Sequence, residues 1–534
     1  MPIRWGYLKR VLAGAIFGLY MAHLLYFLNP QVDITPGRLV TVTIVFGLTC
    51  GLLFGTGLWL LHALRVRLIG TPEPYRTRGF GFVVMAAFIS SFIYWLHLNA
   101  VRIYLPVGAV RILSKATTVI TVTAFVLLAI WVLERNADRR ASRALFVGGV
   151  VLIIISSFFL YQRRESYRTD EREVVVANIA APARRRPVVL IAIRNLPFDW
   201  IVTMRGEGLL PYFDAAGQRA YLTRLEPFRT ASTKPLWASL ATGKLPYRHG
   251  VTGRFAYRTP LNRREPFLLL PSGVGFAAWG LIPPVERISA PLPSGDALPL
   301  WTLFERLRLQ TLVGAWPSLR SERAAPVPGE LAQRFTTTGK ARPAIVAALA
   351  ADFAAARQLE APSPAALSVV ALEGFEDAQR ALHIFSNELP AQTSIKGQAL
   401  RAYAQQLDRI VGDVARAHPD HLIVVCSPTA IVPPDIAADA YSLAMTALSR
   451  DDPGADDGFL LMAGAAVAHR ENPQPAFVVD VVPTILFAAG LPIGRDMDGR
   501  VLTDAFTDEM LRATPLSAIQ TYEAEKVVVR GNGN

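Results

Sequence analysis

Residues 187–195 read PVVLIAIRN. Behind the Arg184-Arg185-Arg186 triplet, the apolar residues 188–193 run without a polar break and stop at Arg194. A short continuous apolar run is what a strand needs when both faces of a parallel sheet are covered. Similar runs recur at LSVVAL (367–372), HLIVVCS (421–427) and FLLMAG (459–464). Helical patterns lie between them: a segment ending near Arg205, then 299–309, 341–358, 396–417 and 478–489. This alternation predicts an α/β domain with a mostly parallel sheet flanked by helices. The domain is expected over 187–520, with a divergent insertion at 255–365 and a tail at 521–534. Residues 255–300 are rich in Pro, Gly and Leu and read as irregular.

Upstream the character changes. Apolar stretches of about spanning length occur at 11–28, 39–64, 80–98, 117–133 and 144–161. A membrane span takes about 20 apolar residues. The first stretch has no small-residue cleavage site ahead of Asn29-Pro30, so it reads as a retained anchor rather than a signal peptide. Residues 1–162 are therefore expected to form a bundle of about five transmembrane helices. Residues 163–186 are charged, then Ala-, Pro- and Arg-rich, and read as a juxtamembrane linker.

The charge distribution supports that division. The 534-residue chain holds 55 Lys+Arg against 42 Asp+Glu, a formal net charge of +13. Residues 1–186 carry 22 basic and 8 acidic side chains, and residues 187–534 carry 33 and 34. The excess lies wholly in the N-terminal third, so a basic nucleic-acid-binding domain at the C-terminus is excluded. With the N-terminus inside, the inner short loops and flanks hold eleven Lys/Arg and the outer short loops four. By the positive-inside rule this puts the C-terminal domain outside the cytoplasm. Only 7 basic residues are Lys. That Arg bias, with abundant Ala and Pro, reads as bacterial, which places the chain in an inner membrane with a periplasmic domain. The bilayer is the expected partner, with anionic headgroups near the linker. Cys50 and Cys426 both lie in apolar runs, so neither a disulfide framework nor a cysteine metal site is expected.

The chemistry-bearing segment is TASTKPLWASLATGKLPYRHGVTG (230–253). Pro235 fits the first turn of a helix, which places Thr233 or Ser232 at its N-terminus. Backbone N–H groups and the helix dipole there favour an anion, and an ordinary hydroxyl cap is the competing reading.

This block resembles the nucleophile block of the alkaline phosphatase superfamily, in its type I phosphodiesterase/nucleotide pyrophosphatase branch. The matching residues are Thr233, Pro235, Thr242-Gly243 and Pro246-Tyr247-Arg248-His249-Gly250. GEGLLPYFDAAGQRA (206–220) resembles the family's stretch before the nucleophile. VVDVVPTILFAAGLPIGRDMDGRVL (478–502) is similar to its terminal segment. The resemblance implies Thr233 as a covalent nucleophile and two metal ions, usually zinc, held by Asp and His.

The ligand slots are mostly filled by other residues. Arg194 stands where the family's first metal-binding Asp would be. Pro428 and Thr429 replace an Asp-His pair, and Gly454 falls in the last His slot. A further Asp/His pair maps to Glu376 and Arg380, or, in a shifted register, to Gln379 and His383. His418 and His421 flank a strand start and are expected at the surface. The sequence therefore implies a membrane-anchored pseudoenzyme without a metal cofactor. Its Arg194, Thr233 and Arg380 would bind an anionic small molecule or lipid headgroup. Two alternatives stand beside it. One is an active phosphodiesterase or phosphotransferase on a nucleotide or lipid-linked phosphate, using Thr233 and a rearranged zinc site. The other is a structural subunit of an envelope complex.

Overall fold

The structure is a computed structural model. It describes residues 7–8, 11–12, 14–16, 27, 36–69, 80–101, 107–136, 139–165, 177–180, 186–228, 233–251, 255–259, 262–267, 286–289, 297–317, 325–361, 363–384, 388–428, 457–523 and 527–530. The chain divides into two compact units. One comprises 1–172, 255–290 and 439–449, and the other 173–254, 291–438 and 450–534. The units interleave in sequence, and residues 255–290 of the expected insertion cluster with the N-terminal part.

The first unit contains four long helices: α1 (Pro36–Ile69), α2 (Phe80–Val101), α3 (Val107–Asn136) and α4 (Arg139–Glu165). They coincide with four of the five expected spans, and most of the stretch 11–28 lies outside the described residues. Among the described residues, two helices, not five, are long and apolar enough to cross a membrane: Val110–Glu134 and Arg140–Gln162. The apolar run of α2 is only Val83–Trp95, short of spanning length.

Large apolar side chains on α3 and α4, including Phe125, Ile154 and Phe158, are exposed. Hydroxyl pairs cross between helices, Ser91 to Thr121 at 2.8 Å and Thr123 to Ser156 at 2.9 Å. Gly51 and Gly55 of α1 sit against Ala15 and Val11. Small residues four apart let helix backbones approach closely. The same unit holds a three-stranded antiparallel sheet of Phe255–Thr259, Asn262–Phe267 and Glu286–Ser289. Part of the expected irregular stretch is thus regular.

The second unit is built on a seven-stranded sheet. Its strands are β1 (Val188–Ile193), β2 (Tyr221–Glu226), β3 (Thr311–Val313), β4 (Leu367–Leu372), β5 (Leu422–Ser427), β6 (Gly458–Ala463) and β7 (Ala476–Phe477). The spatial order is β7-β2-β6-β5-β1-β4-β3. Strands β3, β4, β1 and β5 are parallel neighbours, and β7 pairs parallel with β2. Every residue of β1, β4 and β5 is buried, as the unbroken apolar runs require. Strand β6 runs antiparallel to both β2 and β5. Its apolar run matches those of the parallel strands because hydropathy reports burial on two faces, not direction. The 521–534 tail supplies a further element, since Val527–Arg530 pairs parallel with Ala177–Ala180 of the linker.

Helices cover the sheet. They are α5 (Phe198–Gly206), α6 (Pro211–Gly217), α7 (Thr233–Thr242), α8 (Arg342–Ala356), α9 (Gly374–Ala381), α10 (Ile395–Ala417) and α11 (Val481–Ala488); α5, α7, α8, α10 and α11 fall on expected helical stretches, whereas α6 and α9 stand where no helix was expected. α10 shows why a helix falls on its expected stretch. Ser394 caps it, its Oγ accepting from Gly397 N–H at 3.0 Å. Leu400, Tyr403, Leu407, Val411 and Val414 then recur at helical spacing and are buried. They join Val189, Ile191, Ile193, Trp200, Phe213 and Phe459 in one core.

Candidate functional site

The three central strands β5, β1 and β4 are parallel, so their C-terminal ends open on one edge of the sheet. Ile193 lies opposite Leu372, and Ala192 opposite Cys426. That register brings the next residues, Arg194 and Glu373, side by side, with Ser427 beyond. The backbone follows the same register, with Arg194 N–H donating to the Leu372 carbonyl at 2.8 Å. Asn195 then takes a left-handed conformation, φ 62°, which Asn tolerates better than most residues. The bend lets Leu196 N–H reach Ser427 Oγ at 2.8 Å. Asn195 and Gln379 exchange hydrogen bonds at 2.6 and 3.0 Å. Gln379, which the shifted register set in an Asp slot without restoring the ligand, fixes this turn.

Arg194 is the hub. Its Nη1 donates to Glu373 Oε2 at 2.7 Å, its Nε is ion-paired with Glu376, and its Nη2 donates to the Thr233 hydroxyl at 3.1 Å. Glu376 is 5% exposed and also accepts from Arg380 Nε at 2.9 Å. The structure therefore brings together Arg194, Thr233, Glu376 and Arg380, and adds Glu373. Glu373 was legible in one respect: it follows an apolar run just as Arg194 does, and residues just past parallel strands end up adjacent.

The expected anion binders Arg194 and Arg380 both meet carboxylates. Both guanidinium groups are engaged by carboxylates of α9 and its N-cap, so their charge is already balanced. Pro428 is buried at the end of β5 and brings no donor. Thr429 and Gly454 lie outside the described residues. His383 lies beyond the C-terminal end of α9, exposed, with φ 53°.

The first turn of α9 carries Glu376 and Asp377, with Glu373 as its N-cap residue, where the helix dipole favours negative charge. Desolvation pushes the Asp377 carboxyl up, and Arg194 partly offsets this. The helix start is anchored from below by Asp352. Its carboxylate accepts from Gly374 N–H at 3.0 Å and from the Tyr403 hydroxyl at 2.8 Å. Burial pushes Asp352 up to about 7, against the pull of those two hydrogen bonds.

Thr233 opens α7, as the motif implied. Its segment is locked to the second family-like stretch. Asp498 accepts from Leu245 N–H at 2.8 Å, Tyr247 Oη at 2.5 Å and Arg248 Nε at 2.9 Å. Lys244, 4% exposed, donates to Asp496 at 2.6 Å and Glu523 at 2.5 Å. Gly243, at φ 67°, accepts from Asp498 N–H through its carbonyl at 3.0 Å. His249 is buried. Its Nδ1 accepts from Val251 N–H at 3.1 Å, so Nε2 holds the proton, 2.9 Å from Ser239 Oγ on α7. Burial pulls His249 down to about 3. The two motif blocks thus meet at the C-terminal end of α7.

The resemblance implies two zinc ions, and the described residues of the slots, Arg194, Glu376, Arg380 and Pro428, do not offer them a free ligand set. A guanidinium stands in the first ligand slot, in contact with the nucleophile position. The buried carboxylate of Glu376 is shared between two Arg residues, so an added divalent cation would meet positive charge rather than free ligands. Among the described residues, no group of three or more His, Cys, Asp or Glu side chains is placed to hold a metal. Among the described residues, the Thr233 hydroxyl has Arg194 as its hydrogen-bond partner, a donor that cannot take a proton from it.

The second unit is thus an α/β domain with a mixed, mostly parallel sheet and a polar site at the C-terminal ends of its central strands. No protein-family model and no curated protein matches the chain. Solved structures similar to it include a 2-O GAG sulfatase, at 13% identity and a TM-score of 0.36, over 60% of this chain and 73% of that one. Another is the phosphonate monoester hydrolase of Silicibacter pomeroyi, at 14% and 0.35, over 61% and 78%. A third is a 4S-sulf protein from the glycosaminoglycan-metabolising locus of Bacteroides thetaiotaomicron, at 13% and 0.35, over 61% and 77%. Likeness at this level does not define an activity.

Proposed function

We propose that this chain is a membrane-anchored, alkaline phosphatase-like pseudoenzyme whose extracytoplasmic domain serves binding rather than two-metal hydrolysis. The observation that carries the reading is Arg194. It touches Thr233 and ties up Glu373 and Glu376, so the polar groups around the nucleophile position are satisfied internally. A threonine hydroxyl needs a base or a metal to attack at neutral pH. Its donor here is a permanent cation that stabilises the hydroxyl as an acceptor. Because both Arg charges are balanced, a protein of the cell envelope is the favoured partner over a small anion. Membrane anchoring is supported by two long apolar helices with exposed apolar side chains and by the Lys/Arg asymmetry of the loops.

The test uses full-length protein purified in detergent. Metal content and turnover of bis(p-nitrophenyl) phosphate are measured with Thr233→Ala as the comparison. The expected result is no stoichiometric zinc and no difference between the two proteins. Turnover that disappears in Thr233→Ala would overturn the reading, and so would stoichiometric zinc.

A further inference from the structure

α10 ends at Ala417, and the turn His418-Pro419-Asp420-His421 leads into β5. His421 N–H donates to the His418 carbonyl at 3.2 Å and closes the turn. Pro is the favoured residue at the second position of such a turn. The two imidazoles meet edge to face, centroids 4.7 Å apart and planes at 68°. His418 is not at the surface, as a residue beside a strand start was expected to be: it is 1% exposed.

Its Nε2 lies 2.8 Å from the Leu359 carbonyl oxygen. A carbonyl only accepts, so Nε2 carries the proton and Nδ1 presents a lone pair. That Nδ1 is buried without a hydrogen-bond partner, and so are both ring nitrogens of His421. Leaving a buried polar group unsatisfied costs about 1–3 kcal/mol. Three in one turn call for a ligand.

A histidine that donates one ring N–H to a backbone carbonyl and keeps its other nitrogen unpartnered beside a second imidazole has the arrangement of a metal ligand with its orienting partner. We propose that His418 Nδ1 and the His421 imidazole form a site for a divalent transition ion of the zinc, nickel or copper type, the coordination being completed by water. Imidazole nitrogen suits these ions, whereas magnesium and calcium prefer oxygen. Asp420, in the same turn, adds a favourable negative charge that acts on His421. The site lies at the start of β5, whereas Thr233 and Arg194 lie beyond the ends of the central strands. The two are at opposite edges of one sheet, so this proposal is independent of the reading of the Thr233 site.

The experiment titrates tag-free, chelator-treated full-length protein in detergent with ZnCl2, NiCl2 and CuCl2 by calorimetry. The expected result is one ion per chain, with affinity falling about tenfold or more in His421→Ala. His418→Gln, whose amide still donates to Leu359, should weaken binding similarly. His383→Ala and His469→Ala should leave it unchanged. No saturable binding by the unaltered chain would overturn the proposal, as would binding that survives His421→Ala in a protein with an unchanged melting curve.

Discussion

Arg194 and Glu373 leave neighbouring parallel strands at the same level and meet at 2.7 Å. Neither is fully buried, at 20% and 21% side-chain exposure, but Glu376, on the other side of the guanidinium, is. Removing Arg194 leaves a desolvated carboxylate facing Arg380 alone. Arg194→Ala should lower stability by roughly 1–3 kcal/mol, less than for a fully buried pair because water screens the Glu373 side. Adding Glu376→Gln should recover part of that loss. A double-mutant cycle by chemical denaturation in detergent reads the coupling, and strictly additive losses would contradict the shared ion cluster.

Glu373 also keeps Arg194 from meeting an external anion. Glu373→Gln should release one face of the guanidinium, so inorganic phosphate should protect the variant against heating more than it protects the original protein. Equal protection of both would show that the carboxylate does not compete for Arg194.

Lys244 is enclosed with Asp496 and Glu523. Lys244→Met keeps the volume and strands two carboxylates, at a cost of about 3–5 kcal/mol. Combining it with Asp496→Asn and Glu523→Gln should restore most of the melting temperature. A fall confined to Lys244→Met and absent from the triple variant identifies charge, not shape, as the cause.

Two buried groups should make stability depend on pH with opposite signs. Asp352 binds its proton more tightly when folded, at about 7, than in the unfolded chain near 3.8. Its contribution is complete below pH 4 and is lost as pH rises through 7, with a slope of up to about 1.4 kcal/mol per pH unit. His249 is held neutral, its value falling from 6.5 to about 3. Its contribution is complete above pH 6.5 and is lost as pH falls toward 3. The two windows overlap between about pH 4 and 6.5 and oppose each other there, so in denaturation curves Asp352→Asn should leave stability rising with pH across that range and His249→Asn should leave it falling. A slope unchanged by its substitution would remove that group as the cause.

In the helical unit, a Cβ at Gly55 would lie 2.5 Å from Val11 Cα, so backbone rather than a flexible side chain blocks the space. Gly55→Leu should separate the two segments and lower the melting temperature in detergent. Gly57→Leu, where a Cβ meets nothing within 4 Å, should be tolerated. Equal effects at both positions would argue against close packing at Gly55.

Much of the α/β unit was legible from local pattern. LSVVAL (367–372) is β4 to the residue, because a strand buried on two faces needs an unbroken apolar run. Thr233 begins its helix because Pro235 suits the first turn. Less was legible where the outcome depends on partners distant in sequence. The direction of β6, the burial of His418 and the pairing of Arg194 with Glu373 are of this kind. His418 looked like a surface residue because hydropathy averages over a polar turn and does not register a single carbonyl, that of Leu359, waiting to accept its proton.

The sequence alone determined where apolar strands and helices lie, and that the excess positive charge belongs to the N-terminal third. These depend on residue type and spacing, which fix burial and periodicity locally. Only the tertiary structure decided what Arg194 does. The register of β1 against β4 sets Glu373 beside it, and α9 brings Glu376 from the other side, so its charge is spent inside the protein. Electrostatic pairing acts over a few ångströms of space, and no spacing along the chain encodes which acid comes that close.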